Sequence, residues 1–178
     1  MKTLVLLRHA KSSWDDDTLS DHDRPLAPRG RRAAPAIAAR LRDVGVLADF
    51  VLSSTSVRTR QTLQLATDHL GAPAVEFEES LYLAGPGRLL RTTQEVPDSV
   101  ETLMLVGHNP GMHEFALALV SEDSSGRDVG RLEAKYPTAA AAVFEFDVDR
   151  WADIAPGRGS LQHFIRPKDL PNARRDRL

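Results

Sequence analysis

Apolar residues fall along this chain in two alternating patterns: short unbroken runs, and longer stretches at helical spacing. Leu4-Val5-Leu6-Leu7 is unbroken and too short for a helix. It predicts a strand over 3–7, covered on both faces as in a central parallel sheet. Phe50-Val51-Leu52 and Leu103-Met104-Leu105-Val106 repeat the pattern and place strands over 49–53 and 102–106. Segments 75–78, 139–146 and 161–165 read as further strands. Between the runs, Ala33, Ile37, Leu41 and Val44 recur at helical intervals and predict a helix over 29–44, with Gly45 as its stop. Segments 56–70, 86–95 and 110–120 are the other expected helices; Pro110 occupies a first turn, where proline is tolerated. The polar stretch 11–28 holds five aspartates between 15 and 23 and reads as a solvated loop. Segment 121–130 reads as a mobile loop. The tail from Arg166, with Arg174, Arg175 and Arg177, reads as a frayed end that could touch an acidic partner.

Strands alternating with helices predict an α/β protein, a three-layer α/β/α sandwich around a central, mostly parallel sheet. A length of 178 residues fits one domain over 1–166, with a flexible tail over 167–178. The apolar content of 42% supports a true core. A net charge of -2 gives no global basic field for nucleic acid. The absence of cysteine removes disulfides, thiolate metal sites and cysteine nucleophiles together. Met-Lys-Thr is followed by only four apolar residues, too few for a signal peptide or a membrane span. The expected setting is the cytoplasm, away from membranes.

Two of the strands end in a histidine. The first runs into Arg8-His9, and the fourth into Gly107-His108-Asn109-Pro110-Gly111. The carboxyl edge of a parallel sheet is where α/β proteins bind ligands. A guanidinium offers a planar fork of donors to phosphate oxygens. A neutral imidazole can attack phosphorus and leave again, provided that its other nitrogen donates to a carbonyl and fixes the tautomer. Segment 54–62 follows the second strand and opens a helix, whose free N–H groups favour anions. Arg58 lies there on the face that looks back to the strand end, and Arg60 points elsewhere. A protonated His108 would stabilise the equatorial oxygens of a transferring phosphoryl group. His22, His69, His113 and His163 read as ordinary histidines, Trp151 as a packing residue, and Trp14 as core or loop packing, with a place beside the pocket as the alternative. No ligand spacing supports a metal, and the aspartates lack the pattern of a calcium loop.

Leu7-Arg8-His9-Ala10-Lys11-Ser12-Ser13-Trp14, Asp23-Arg24-Pro25-Leu26 with Arg29-Gly30, the 54–62 segment and Val106 to Gly111 occur in this order. In that order and at those spacings they resemble the histidine phosphatase superfamily, which also holds the cofactor-dependent phosphoglycerate mutases. The length and the 157–170 ending look most like its SixA-type phosphohistidine phosphatase branch. The resemblance spans nearly the whole chain. It implies a phosphoglycerate mutase-like fold, His9 as nucleophile, Arg8 and Arg58 as phosphate clamps and His108 as the second imidazole. Asn109 and Gly111 would stand in the pocket wall, with Asn109 among the substrate-binding residues. Many members carry a glutamate that protonates the leaving oxygen. Here that region reads Glu78-Glu79-Ser80-Leu81-Tyr82-Leu83-Ala84, and Glu79 is the nearest candidate acid, slightly early in sequence. The usual glycine after the first histidine is Ala10.

These readings converge on a phosphatase that hydrolyses phosphate through a covalent phosphohistidine, with no metal or organic cofactor. The preferred substrate is a histidine-phosphorylated protein. An imidazole leaves phosphorus more readily than an alkoxide, and so asks less of a general acid. The alternatives are a phosphatase for nucleotides or sugar phosphates, a mutase, and a non-catalytic phosphoprotein-binding module.

Overall fold

The computed structural model describes residues 1–173. Its elements are β1 (Lys2–Arg8), α1 (Pro28–Asp43), β2 (Phe50–Ser54), α2 (Val57–Ala66), β3 (Ala74–Glu78), α3 (Pro86–Gln94), β4 (Thr102–Gly107), α4 (Gly111–Leu119), α5 (Arg127–Ala134), β5 (Ala141–Phe146) and β6 (Ser160–Ile165). The strands form one sheet in the order β3-β2-β4-β1-β5-β6. Neighbours from β3 to β1 are parallel, while β5 runs antiparallel to both β1 and β6.

Side chains alternate across a strand, so the unbroken run of β1 feeds two cores at once. Leu4 and Leu6 pack with Leu89 of α3, Phe115 of α4 and Leu132 of α5. Val5 and Leu7 pack on the opposite face with Ile37 and Leu41 of α1 and Leu63 of α2. All four β1 side chains are buried, each contributing roughly 1.5–3 kcal/mol of apolar transfer. The result is the expected three-layer sandwich of the phosphoglycerate mutase-like kind. Among the described residues, no helix is long and apolar enough to cross a membrane.

Several local expectations shift. The helix expected to 70 is α-helical only to Ala66 and tightens into a 3-10 turn over Thr67–His69. The strand expected from 139 begins at Ala141. The segment expected to be a mobile loop contains the start of α5, an eight-residue helix with a glycine inside and Leu132 as its one buried residue. Its stability comes from seating that single leucine in the core, and one anchor leaves no periodic signature in the sequence. Beyond residue 166, Pro167–Asp169 form a 3-10 turn, and Pro167 and Leu170 are buried. Arg174, Arg175 and Arg177 lie outside the described residues.

Candidate active site

The site follows from strand register. β1 and β4 are adjacent and parallel, with Arg8 opposite Gly107. The next residue on each strand is a histidine, so the two imidazoles emerge side by side. Their ring centres are 5.3 Å apart, at an angle of 51°. The His9 N–H donates to the Gly107 carbonyl at 3.0 Å, extending the ladder by one bond. β2, on the other side of β4, delivers Ser54. Ser56 then caps α2 by accepting the Thr59 N–H, and Arg58 falls in the first helical turn, 5% exposed. Gly111 lets α4 start against the backbone of the loop before α3, because a Cβ there would lie 1.7 Å from the Ala84 carbonyl oxygen. That close approach holds the His108-Asn109 turn against residues 82–84.

Arg8, His9, Arg58, His108 and Asn109 line one cleft. Arg8 and Asn109 both donate to the Tyr136 carbonyl, each at 2.9 Å. The buried Arg8 Nε has no partner among the described residues, and neither does Asn109 Oδ1. A buried guanidinium N–H without an acceptor is costly, and an anion in the cleft would satisfy it.

The hydrogen bonds assign a tautomer to each ring. His9 Nδ1 donates to the Ala10 carbonyl at 2.7 Å, which leaves Nε2 with a free lone pair. Burial, then the charges of Arg58 and Arg8, hold this imidazole down at about 3, against the pull of the Ala10 hydrogen bond. His108 Nδ1 accepts from Arg58 Nη2 at 3.2 Å, so its proton is on Nε2, which donates to Ser54 Oγ at 2.7 Å. Burial, His9 and Arg58 hold this ring at about 3 as well. The protonated His108 expected from the sequence is therefore neutral as the side chains stand. Two guanidinium groups and a second imidazole outweigh the pull of the Asp21 carboxylate, and added negative charge in the cleft would favour the charged form further.

The carboxylate at the site is not the expected one. Glu79 is exposed and outside the residues that line the cleft. Asp21 lines it instead, from the loop read as solvated. Its carboxylate accepts from Arg58 Nη2 at 3.0 Å and from the Tyr82 hydroxyl, and Arg58 Nη1 donates to its carbonyl at 2.6 Å. The Tyr82 hydrogen bond, helped by Arg58 and Arg24, holds the Asp21 carboxyl below the usual carboxylate range, against the opposing effect of desolvation. Tyr82 stands edge-on to His108 at 5.3 Å. Trp14 takes the alternative place beside the pocket, exposed on the rim and stacked against Arg24, while Trp151 is buried as expected. The roles of Asp21 and of Ser54 within the 54–62 segment depend on partners tens of residues away and leave no local signal, while Tyr82 is the tyrosine that stands where the sequence would place the family acid. Among the described residues, no group of three or more histidines and carboxylates gathers closely enough to hold a metal ion.

A family model for the histidine phosphatase superfamily (branch 1) matches residues 4–108, which include both histidines and Arg58. The chain belongs to the histidine phosphatase superfamily. It is a phosphatase of the SixA-like branch. The uncharacterized protein Rv1276c of Mycobacterium tuberculosis is 42% identical over 165 residues, covering 91% of this chain and all of that protein. A solved structure assigned as the phosphohistidine phosphatase SixA of Nakamurella multipartitia superposes with a TM-score of 0.80 at 33% identity, covering 93% of this chain and 95% of that one. The corresponding Agrobacterium tumefaciens structure gives a TM-score of 0.76 at 30% identity, covering 93% and 98%.

Proposed function

We propose that this histidine phosphatase removes phosphate from phosphohistidine on a protein, in the cytoplasm, through a phosphorylated His9. The observation that carries the mechanism is the His9 ring, fixed by Ala10 with Nε2 unprotonated, inside a cleft with two guanidinium groups. His9 Nε2 attacks phosphorus and forms an N–P bond as the bond to the substrate nitrogen breaks. A phosphorylated imidazole that carries a proton on its second nitrogen leaves as neutral imidazole and takes no proton from the enzyme. Water then attacks phospho-His9, releases phosphate and regenerates the free ring, its surplus proton passing to solvent. Arg8 and Arg58 neutralise the phosphoryl oxygens, Asn109 lines the pocket, and His108 takes on positive character as charge develops.

The substrate assignment rests on the acid. Asp21 is held ionised between Tyr82 and Arg58, so it has no proton to give at neutral pH. Its geometry suits orientation of Arg58. A site of this kind favours a leaving group that needs no general acid, which a phosphoramidate supplies and an alkyl phosphate does not.

The test is a turnover panel. A histidine-phosphorylated protein and free phosphohistidine are expected to be hydrolysed with kcat/KM at least about a hundredfold above nucleotides and sugar phosphates, a span of ~2.7 kcal/mol in transition-state binding. A preference for a sugar phosphate or nucleotide would overturn the substrate assignment and leave the small-molecule phosphatase standing. Binding of the phosphoprotein without turnover would point to the non-catalytic module.

A further inference from the structure

A second cleft adjoins the catalytic one. Five cations line it, Lys11, Arg29, Lys135, Arg166 and Lys168, and no carboxylate does. The whole chain carries a net charge of -2, so this concentration of one sign is local. Lys11 and Thr138 line both clefts. The 135–138 segment also presents the Tyr136 carbonyl that holds Arg8 and Asn109. The two clefts are therefore one continuous surface.

The cations are mostly uncommitted. Arg166 is tied to Asp169 by hydrogen bonds of 2.6 and 2.8 Å. Among the described residues, Lys11, Arg29 and Lys135 have no ion pair and no side-chain hydrogen bond, while the Lys168 charge acts on the neighbouring Asp169 carboxylate. Arg29 stands in the first turn of α1, which has no side-chain cap and no acidic residue. A cation there opposes the helix dipole. The backbone holds Arg29 beside Lys11: a Cβ on Gly30 would lie 2.2 Å from the Lys11 carbonyl oxygen, and the Ala27 N–H donates to that same oxygen at 2.9 Å. Like charges brought together without partners cost folding free energy, and an anion lying across them offsets that cost.

We infer that this cleft is a docking subsite for acidic side chains on the protein that carries the phosphohistidine. The identity of the partner rests on the proposed phosphohistidine reading; the anion subsite does not. Three of the five cations are lysines, point charges on flexible stems. They suit scattered carboxylates better than the planar, bidentate grip that selects a second phosphate. Exposed charges of this kind act chiefly on encounter and on KM, and salt screens them.

The test uses Lys135→Glu with Lys168→Glu, both exposed and both outside the catalytic set, with the fold checked by circular dichroism. For an acidic histidine-phosphorylated carrier protein, KM is expected to rise about tenfold or more with kcat within about twofold, and the rise to shrink at ~0.5 M salt. KM for free phosphohistidine is expected to stay within about twofold, because that substrate does not reach the second cleft. An arm that needs no catalysis uses hexaglutamate at low salt. The peptide is expected to shift amide resonances over 135–138 and 166–168 in the wild type and not in the double variant. Failure of hexaglutamate to shift them overturns the subsite, even with phosphohistidine turnover intact. An equal loss on free phosphohistidine also overturns it. A loss confined to a small bisphosphate, with fructose 1,6-bisphosphate as the probe, replaces the acidic side chain with a second phosphate and overturns the proposed occupant. Hexaglutamate binding with no phosphohistidine turnover at all overturns the partner assignment together with the reading it rests on.

Discussion

The ends of β1 and β4 look alike in sequence and differ in chemistry. Each delivers a buried histidine to the same cleft, and each ring is held neutral. The difference lies in what holds them. His9 is fixed by one bond to the backbone at Ala10, which leaves its second nitrogen free. His108 has both nitrogens engaged by side chains, Ser54 on one and Arg58 on the other. A ring with a free lone pair can form a bond to phosphorus. A ring with neither nitrogen free can only shape the field around it. Two similar motifs thus suit different parts of the proposed reaction, since one ring keeps a free nitrogen and the other does not.

The most forceful way to break this comparison is to remove each ring in turn. His9→Ala is expected to abolish turnover and covalent labelling by phosphate while the fold persists. His108→Ala is expected to lower kcat by about a hundred- to a thousandfold, as loss of one transition-state donor does, and to leave His9 labelled after a single-turnover reaction. Rapid-quench labelling separates the two; a labelled His9→Ala protein would reverse the roles.

Arg58→Ala is expected to cost on the order of a hundredfold in rate, since Arg58 is the proposed phosphate clamp and also donates to His108. Steady-state kinetics on free phosphohistidine checks it. A change confined to KM would mean that Arg58 acts only in binding.

The pH dependence of stability sharpens the likeness of the two rings. Both are pushed from the usual 6.5 down to about 3 when folded. Between those values the unfolded chain binds more protons than the folded one. Stability is therefore full above the upper value and is lost as the pH falls through the window, by up to about 1.4 kcal/mol per pH unit for each ring. Urea unfolding at a series of pH values is expected to show a shallower slope for His9→Asn and for His108→Asn than for the wild type. Slopes equal to that of the wild type would place both rings in a more solvated setting.

Smaller effects test the supports. Ser54→Ala leaves the His108 Nε2 proton without its acceptor, at an expected cost of about 1–3 kcal/mol in stability and about tenfold in rate. The same change is expected to leave labelling of His9 intact. Glu79→Gln is expected to alter kcat/KM by less than about twofold, because its carboxylate lies outside the cleft. A tenfold loss there would restore Glu79 as the acid.

The framework was legible because it is local. An unbroken run such as Leu4 to Leu7 requires burial on both faces, and the residue that follows such a strand must emerge at the sheet edge. Arg8, His9 and His108 could be placed at one edge on that basis, and Arg58 by its position one turn into a helix. The same locality yields the sandwich and the family.

What only tertiary structure decided has the opposite character. Asp21 reaches Tyr82 across 61 positions of sequence, from a polar loop with no periodicity, so no local pattern ties the two together. The helix α5 depends on one leucine finding a core built by other elements. The tautomers depend on which acceptor stands within 3 Å of each ring nitrogen. The basic cleft gathers five cations from separate parts of the chain, each unremarkable where it stands in sequence. Strand ends are set by neighbours along the backbone, whereas charge and protonation are set by neighbours in space. The sequence therefore determined where the histidines would stand, and the folded structure determined what each of them can do.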